Sequence, residues 1–240
     1  MATTITTSAA SGAQSEPVQA MCLAFLAGYV DTLGFVALFG LFTAHVTGNF
    51  VLIGAELARP SHGVLLIKFL AFPAFIAGVV VARLLTVALE RAGRPTAAYV
   101  QTVQWLLLLG FMAAGVMASP VSTDTGTPWA LAAGMMGAAA MGIHNASSKL
   151  QFPTLTPTTV MTGNVTQLVI DLVDIARGEA PPAVRARCGK FFWPVVAFGC
   201  GAIGGAYAYV RCGFWGLLLP LALLLTMIAR QPWRTPAVAS

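Results

Sequence analysis

Six stretches of the chain, residues 18–42, 64–89, 97–118, 129–150, 190–210 and 213–229, are runs of mostly apolar residues. Each has at least the ~17 residues a helix needs to cross about 30 Å of hydrocarbon at ~1.5 Å per residue. Two further segments are shorter or more polar: residues 43–58, TAHVTGNFVLIGAELA, and residues 158–176, TTVMTGNVTQLVIDLVDIA. Both contain the string TGN, and they are predicted as short helices that either span the bilayer or enter and return. Residues 1–17 are rich in Thr, Ser and Ala with Glu16 as their one charge, and read as a disordered tail without the basic region or cleavage site of a secretory signal. Residues 119–128 read as a loop and residues 230–240 as a C-terminal tail.

Composition turns that pattern into a class. Of 240 residues, 58% are hydrophobic and 9% charged, with a mean hydropathy of +0.81, against about 25% charged residues in a soluble domain. The expectation is an all-α polytopic membrane helix bundle whose main partner is the lipid bilayer. The net charge of +5 does not point to nucleic acid, because the basic residues stand singly or in short groups between apolar runs. The cysteines, Cys22, Cys188, Cys200 and Cys212, form no CxxC pair or His/Cys ligand spacing, so neither disulfides nor a metal or other cofactor is expected.

The chain repeats itself. Residues 18–118 and 129–229 share landmarks in one order: Gly28 to Asp31 with Gly142 to Asn145, Val46 to Asn49 with Met161 to Asn164, Leu57 to Arg59 with Ile175 to Arg177, and Lys68, Phe69, Pro73 with Lys190, Phe191, Pro194. Basic residues then choose a topology, since Lys and Arg favour the cytoplasmic side. If all eight segments cross, Arg83, Arg91, Arg94, Lys149 and Arg211 lie opposite the termini; if both TGN segments return, only Arg59, Lys68 and Arg211 of the 13 do. The second split is cleaner. It implies six spans with both termini cytoplasmic, and three crossings per repeat invert one half relative to the other. Inverted repeats with broken helices near the midplane recur in transporters.

AGYVDTLGF followed by TAHVTGNFVLIGAEL, with MGIHNASSKL and TTVMTGNVTQL in the second half, resembles the YoaK-like family of bacterial multi-pass membrane proteins, a domain of unknown function. The resemblance covers nearly the whole chain after the tail. It implies about six spans and a bacterial inner-membrane location, and it supplies no activity.

Asp31 lies within the first apolar stretch, where an ionisable group costs at least ~2.5 kcal/mol unless paired or hydrated. It reads either as a proton- or cation-binding carboxylate on a solute path or as a polar cap at a helix break beside Gly34. Its counterpart Asn145 keeps the size without the charge. In the TGN segments Thr47, Gly48, Asn49, Thr162, Gly163 and Asn164 read equally as solute ligands or as packing and N-capping groups. His45, Asn49 and Glu56 are predicted on one helix face, while Glu56, Asp171 and Asp174 are expected to emerge among the headgroups. His144 with Lys149 has a proton-shuttle or anion reading, but a helix end reaching the interface is the preferred one. His62 is expected to be solvated. Small-residue faces at Gly134, Ala138 and Gly142 and at Gly201 and Gly205 are expected to close the bundle or form a homo-oligomer seam.

The leading expectation is therefore a small-solute or ion transporter or channel, with a polar path between two repeats. A membrane assembly or regulatory protein without transport is the alternative. An intramembrane enzyme is the least favoured class, because the chain carries no GxSxG, HExxH or P-loop string and no catalytic residue is assigned.

Overall fold

The computed structural model describes residues 16–58, 65–121, 127–178, 180–231 and 233. Residues 1–15 of the predicted N-terminal tail, most of the C-terminal tail, Arg59 and His62 lie outside them, while Glu16 and Pro17 of that tail open α1. The described residues form α-helices and connecting turns: α1 (Glu16–Ala37), α2 (Val46–Ala58), α3 (Leu65–Arg91), α4 (Ala97–Ala118), α5 (Pro128–Leu150), α6 (Met161–Ala176), α7 (Pro182–Cys212), a 3-10 turn (Gly213–Leu217) and α8 (Leu218–Ala229). Four stretches are long and apolar enough to cross a membrane: α1, α3, α4 and the 48 residues from Pro182 to Ala229. Gly213, at φ +59°, divides the last stretch by turning the chain back after α7. Leucine-rich α8 then packs against α4 and α1. α5 is less apolar, because His144, Asn145, Ser147, Ser148 and Lys149 sit in its last two turns; it lies between α3 and α4.

Two seams of backbone-to-backbone contact hold the bundle, and glycine makes both. A Cβ at Gly28 would stand 2.2 Å from the Phe198 carbonyl, one at Gly201 2.1 Å from that of Phe25, and one at Gly205 2.3 Å from that of Tyr29, so α1 and α7 touch along their main chains. On the other side a Cβ at Gly78 would stand 2.1 Å from the carbonyl of Ala139 and one at Gly142 2.2 Å from that of Phe75, so α3 and α5 also touch along their main chains. The small-residue faces seen in the sequence are thus filled from within the chain.

Helix directions follow from who shares a level. Leu23 of α1, Ala97 at the start of α4, Phe152 just after α5 and Met227 near the end of α8 pack together at one end. Further along, a Cβ at Gly34 or at Gly137 would meet the Phe111 ring, and Phe111 itself packs edge-on against Phe214. Trp105 donates to the Leu221 carbonyl in between. α1 and α4 therefore run one way, α5 and α8 the other.

The short helices α2 and α6 lean on α3 and α7. Their outward faces carry Phe50, Val51 and Leu57, and Val165, Val169, Ile170, Leu172 and Val173, all exposed. Aliphatic rows of that kind suit contact with lipid.

Candidate functional site

The polar centre is built where α1 turns into α2. Asp31 is 4% exposed, and a buried carboxylate persists only with hydrogen-bonding or charged partners. It finds three on consecutive residues: Thr43 Oγ1 donates at 3.2 Å, the Ala44 amide at 2.6 Å and His45 Nδ1 at 2.6 Å. The turn that brings them back passes through Phe39 and Gly40, at φ +50° and +85°, so the chain folds over the end of α1 instead of continuing it. His45 precedes the first turn of α2, and 37% of its side chain is exposed. Its ring stands edge-on to Phe198 of α7 at 5.7 Å and faces the backbone of Thr159 from the other corner. Asp31 and His45, separate sequence candidates, are one unit.

At the corner between α5 and α6, Asn145 occupies the position matching Asp31. It lines a cavity of about 560 Å³ with Ser148, Lys149, Thr158 and Thr159. His144 points the other way, into the bundle. The expected helix end at the interface is not what the structure has: His144 is 1% exposed, with Gln104 Nε2 at 3.1 Å from Nδ1 and Thr158 Oγ1 at 3.1 Å from Nε2. An amide donating to Nδ1 leaves the proton on Nε2, which donates to the threonine.

The TGN residues divide by position. Asn49, 1% exposed, donates Nδ2 to the Phe42 carbonyl and accepts from the Phe42 amide, both at 2.9 Å. Asn164, 2% exposed, donates to the Pro157 carbonyl at 2.7 Å. Each asparagine thus fastens its helix start to the residue seven places back. Only the first can do so twice, because proline has no N–H to offer. Thr47 and Thr162 are exposed, Gly48 lies against the Phe42 ring, and Gly163 faces open space. These four are not gathered around Asp31.

Two acid–base contacts tie the short helices down. Lys68 on α3, with 3% of its side chain exposed, bonds Glu56 of α2. Arg187 on α7 forks onto Asp171 of α6 at 2.6 and 2.9 Å, and Gln167 adds a bond at 2.8 Å. Glu56 and Asp171 are thus each paired with a base on the helix that follows. The guanidinium of Arg187 holds the Asp171 carboxyl below the usual carboxylate range. Sequence reading passed over Gln101 and Gln104, which the structure buries in α4. Two amides three residues apart inside an apolar run were the available signal.

A helical membrane bundle with a buried carboxylate–imidazole pair at the meeting of its two corners is the class these features define. Residues 19–229 match the model of a family described as "Protein of unknown function (DUF1275)", and the chain belongs to that family. It is also similar to the "UPF0700 transmembrane protein YoaK" of Bacillus subtilis (strain 168), at 35% identity over 75 residues, 31% of this chain and 33% of that relative. The chain thus aligns with about a third of that relative's length. No solved structure matches.

Proposed function

We propose that this protein is a small-solute or ion transporter or channel of the bacterial inner membrane, with both termini cytoplasmic and a polar path between two inverted repeats. The repeat reading is supported by contacts that recur under one exchange of halves. Gly28 on Phe198 corresponds to Gly142 on Phe75, Gly201 on Phe25 to Gly78 on Ala139, and the Asn49 clamp to the Asn164 clamp. Inversion is supported by the helix directions. Because α4 starts at the end where α1 starts, the chain between them makes an even number of crossings. α1 and α3 supply two, and α2, with 13 residues or about 20 Å, supplies none.

The observation that carries the transport reading is Asp31 with His45. A buried carboxylate bonded to an imidazole that is one-third exposed, facing the opposite corner, can exchange a proton or cation with a path while staying anchored. The test uses proteoliposomes carrying a pH-sensitive dye and challenged with H⁺, Na⁺ and K⁺ gradients. Wild-type protein is expected to dissipate at least one gradient faster than empty vesicles, with the rate falling about tenfold or more in Asp31→Asn. Equal rates in wild type and Asp31→Asn refute Asp31 as the coupling group.

A second reading, a membrane assembly or regulatory protein, is favoured by the asparagine clamps, whose amides are occupied by loop backbone, and by the outward-facing Thr47 and Thr162. Folded protein that moves no tested solute would favour it.

A further inference from the structure

α4 and α5 enclose a run of polar groups that neither the Asp31 corner nor the bundle packing uses. Gln104 meets His144, and their antiparallel register, also set by Phe111 against Gly137, puts Gln101 opposite Ser147 one turn further on. Gln101 is 1% and Ser147 3% exposed. Gln101 Nε2 and Oε1, Gln104 Oε1, Ser147 Oγ and, a turn beyond, Gln151 Oε1 make no hydrogen bond within the chain. They account for five of the seven buried side-chain polar atoms in that condition among the described residues. A buried amide left without a partner keeps its full desolvation cost, so this concentration on one seam, between helices otherwise packed with Ala82, Val100, Ile143 and Ala146, calls for a ligand.

We infer that the seam between α4 and α5 is a site for a short file of water molecules, with His144 at the end nearest the cavity beside Asn145. The groups are neutral and mix donors with acceptors, which suits water and not an ion. A buried water makes about three bonds, and five free atoms spaced over two turns suffice for two or three waters. Access runs through Ser148 and Thr158. Their hydroxyls bond each other at 3.0 Å, Thr158 bonds His144, and both line the cavity beside Asn145. The seam thus joins an open cavity to an imidazole, with no charged side chain along it.

The experiment reads water and not flux, so its outcome is separate from that of the transport assay. Wild-type protein in nanodiscs is exposed to X-ray-generated hydroxyl radicals, and oxidation is mapped by mass spectrometry. His144 is expected to be oxidised, while Met141, one turn away, fully buried and intrinsically more reactive, is spared. Gln101→Leu is expected to lower His144 oxidation about tenfold, and to leave the melting temperature unchanged or lower. His144 as unreactive as Met141, or Gln101→Leu that melts higher with His144 oxidation unchanged, overturns the water file.

Discussion

At the α1–α2 corner a carboxylate gathers three consecutive donors, Thr43, Ala44 and His45, whereas at the α5–α6 corner the matching residue is Asn145 beside a cavity and the matching imidazole position is Val160. The frames of the two corners agree: an asparagine clamp seven residues long, glycine seams to a long helix of the other half, and an acid on the short helix bonded to a base on the next one. The contrast separates what the fold requires from what it carries. Groups present at both corners build the scaffold; the charge, present at one, is what the proposed path would use.

The comparison is broken most severely at the glycine seams. Gly28→Val and Gly142→Val each put side-chain carbon on a carbonyl that an ideal Cβ would already approach to 2.2 Å, and are expected to cost about 3 kcal/mol or more. Unfolding in mixed micelles reads this, and the matched frames require the two losses to agree within ~1 kcal/mol; one tolerant position would show that only one seam is essential. Next comes the charge. Asp31→Ala leaves three donors unmatched at the buried corner, and is expected to cost about 3 kcal/mol in the same assay. Asn145→Ala, at a cavity wall, is expected to cost less than ~1 kcal/mol. Similar costs for the two would remove the distinction between scaffold and chemistry.

Much of this frame is legible in the amino-acid order, and what is not has a physical reason. Long apolar runs and the duplicated TGN locate α1 to α8 because lipid makes hydrophobicity continuous and because Asn49 and Asn164 do one task twice. Asp31 stands out because a carboxylate in such a run is expensive. Its partners do not, since Thr43 and His45 reach it only after the turn at Phe39 and Gly40, and Lys68 reads as a topology signal until α2 is laid against α3. His144 looked like a polar helix end for a related reason: its partners Gln104 and Thr158 come from two other segments. Pairing across helices has no fixed spacing, so periodicity is silent about it.

The asparagine clamps allow a finer division. Asn49 makes two main-chain bonds and Asn164 one, at roughly 1 kcal/mol each. Asn49→Ala is expected to cost about 2 kcal/mol and Asn164→Ala about 1 kcal/mol. Pro157→Ala supplies the missing amide, so in that background Asn164→Ala should cost as much as Asn49→Ala. A double-mutant cycle in the micelle unfolding assay measures it, and no coupling between positions 157 and 164 would remove the proline as the cause of the asymmetry.

The smallest expected effect concerns the pairs that hold the short helices. Asp171, on an element outside the four long apolar stretches, has its carboxyl depressed by the Arg187 guanidinium. A carboxyl depressed in the fold contributes stability that is fully present above its ordinary value of about 4 and lost as pH falls through the lower folded value. Docking of α6 on α7 is therefore expected to be the same at pH 7 and pH 5 and to loosen only under stronger acid. Hydrogen exchange of the α6 amides, corrected for intrinsic rates, follows this directly. Arg187→Met should shift that loosening toward neutral pH, because Gln167 alone then holds the carboxylate. Loosening of wild-type α6 already between pH 7 and pH 5 would mean that the ion pair does not govern its docking and that the aliphatic face of α6 does.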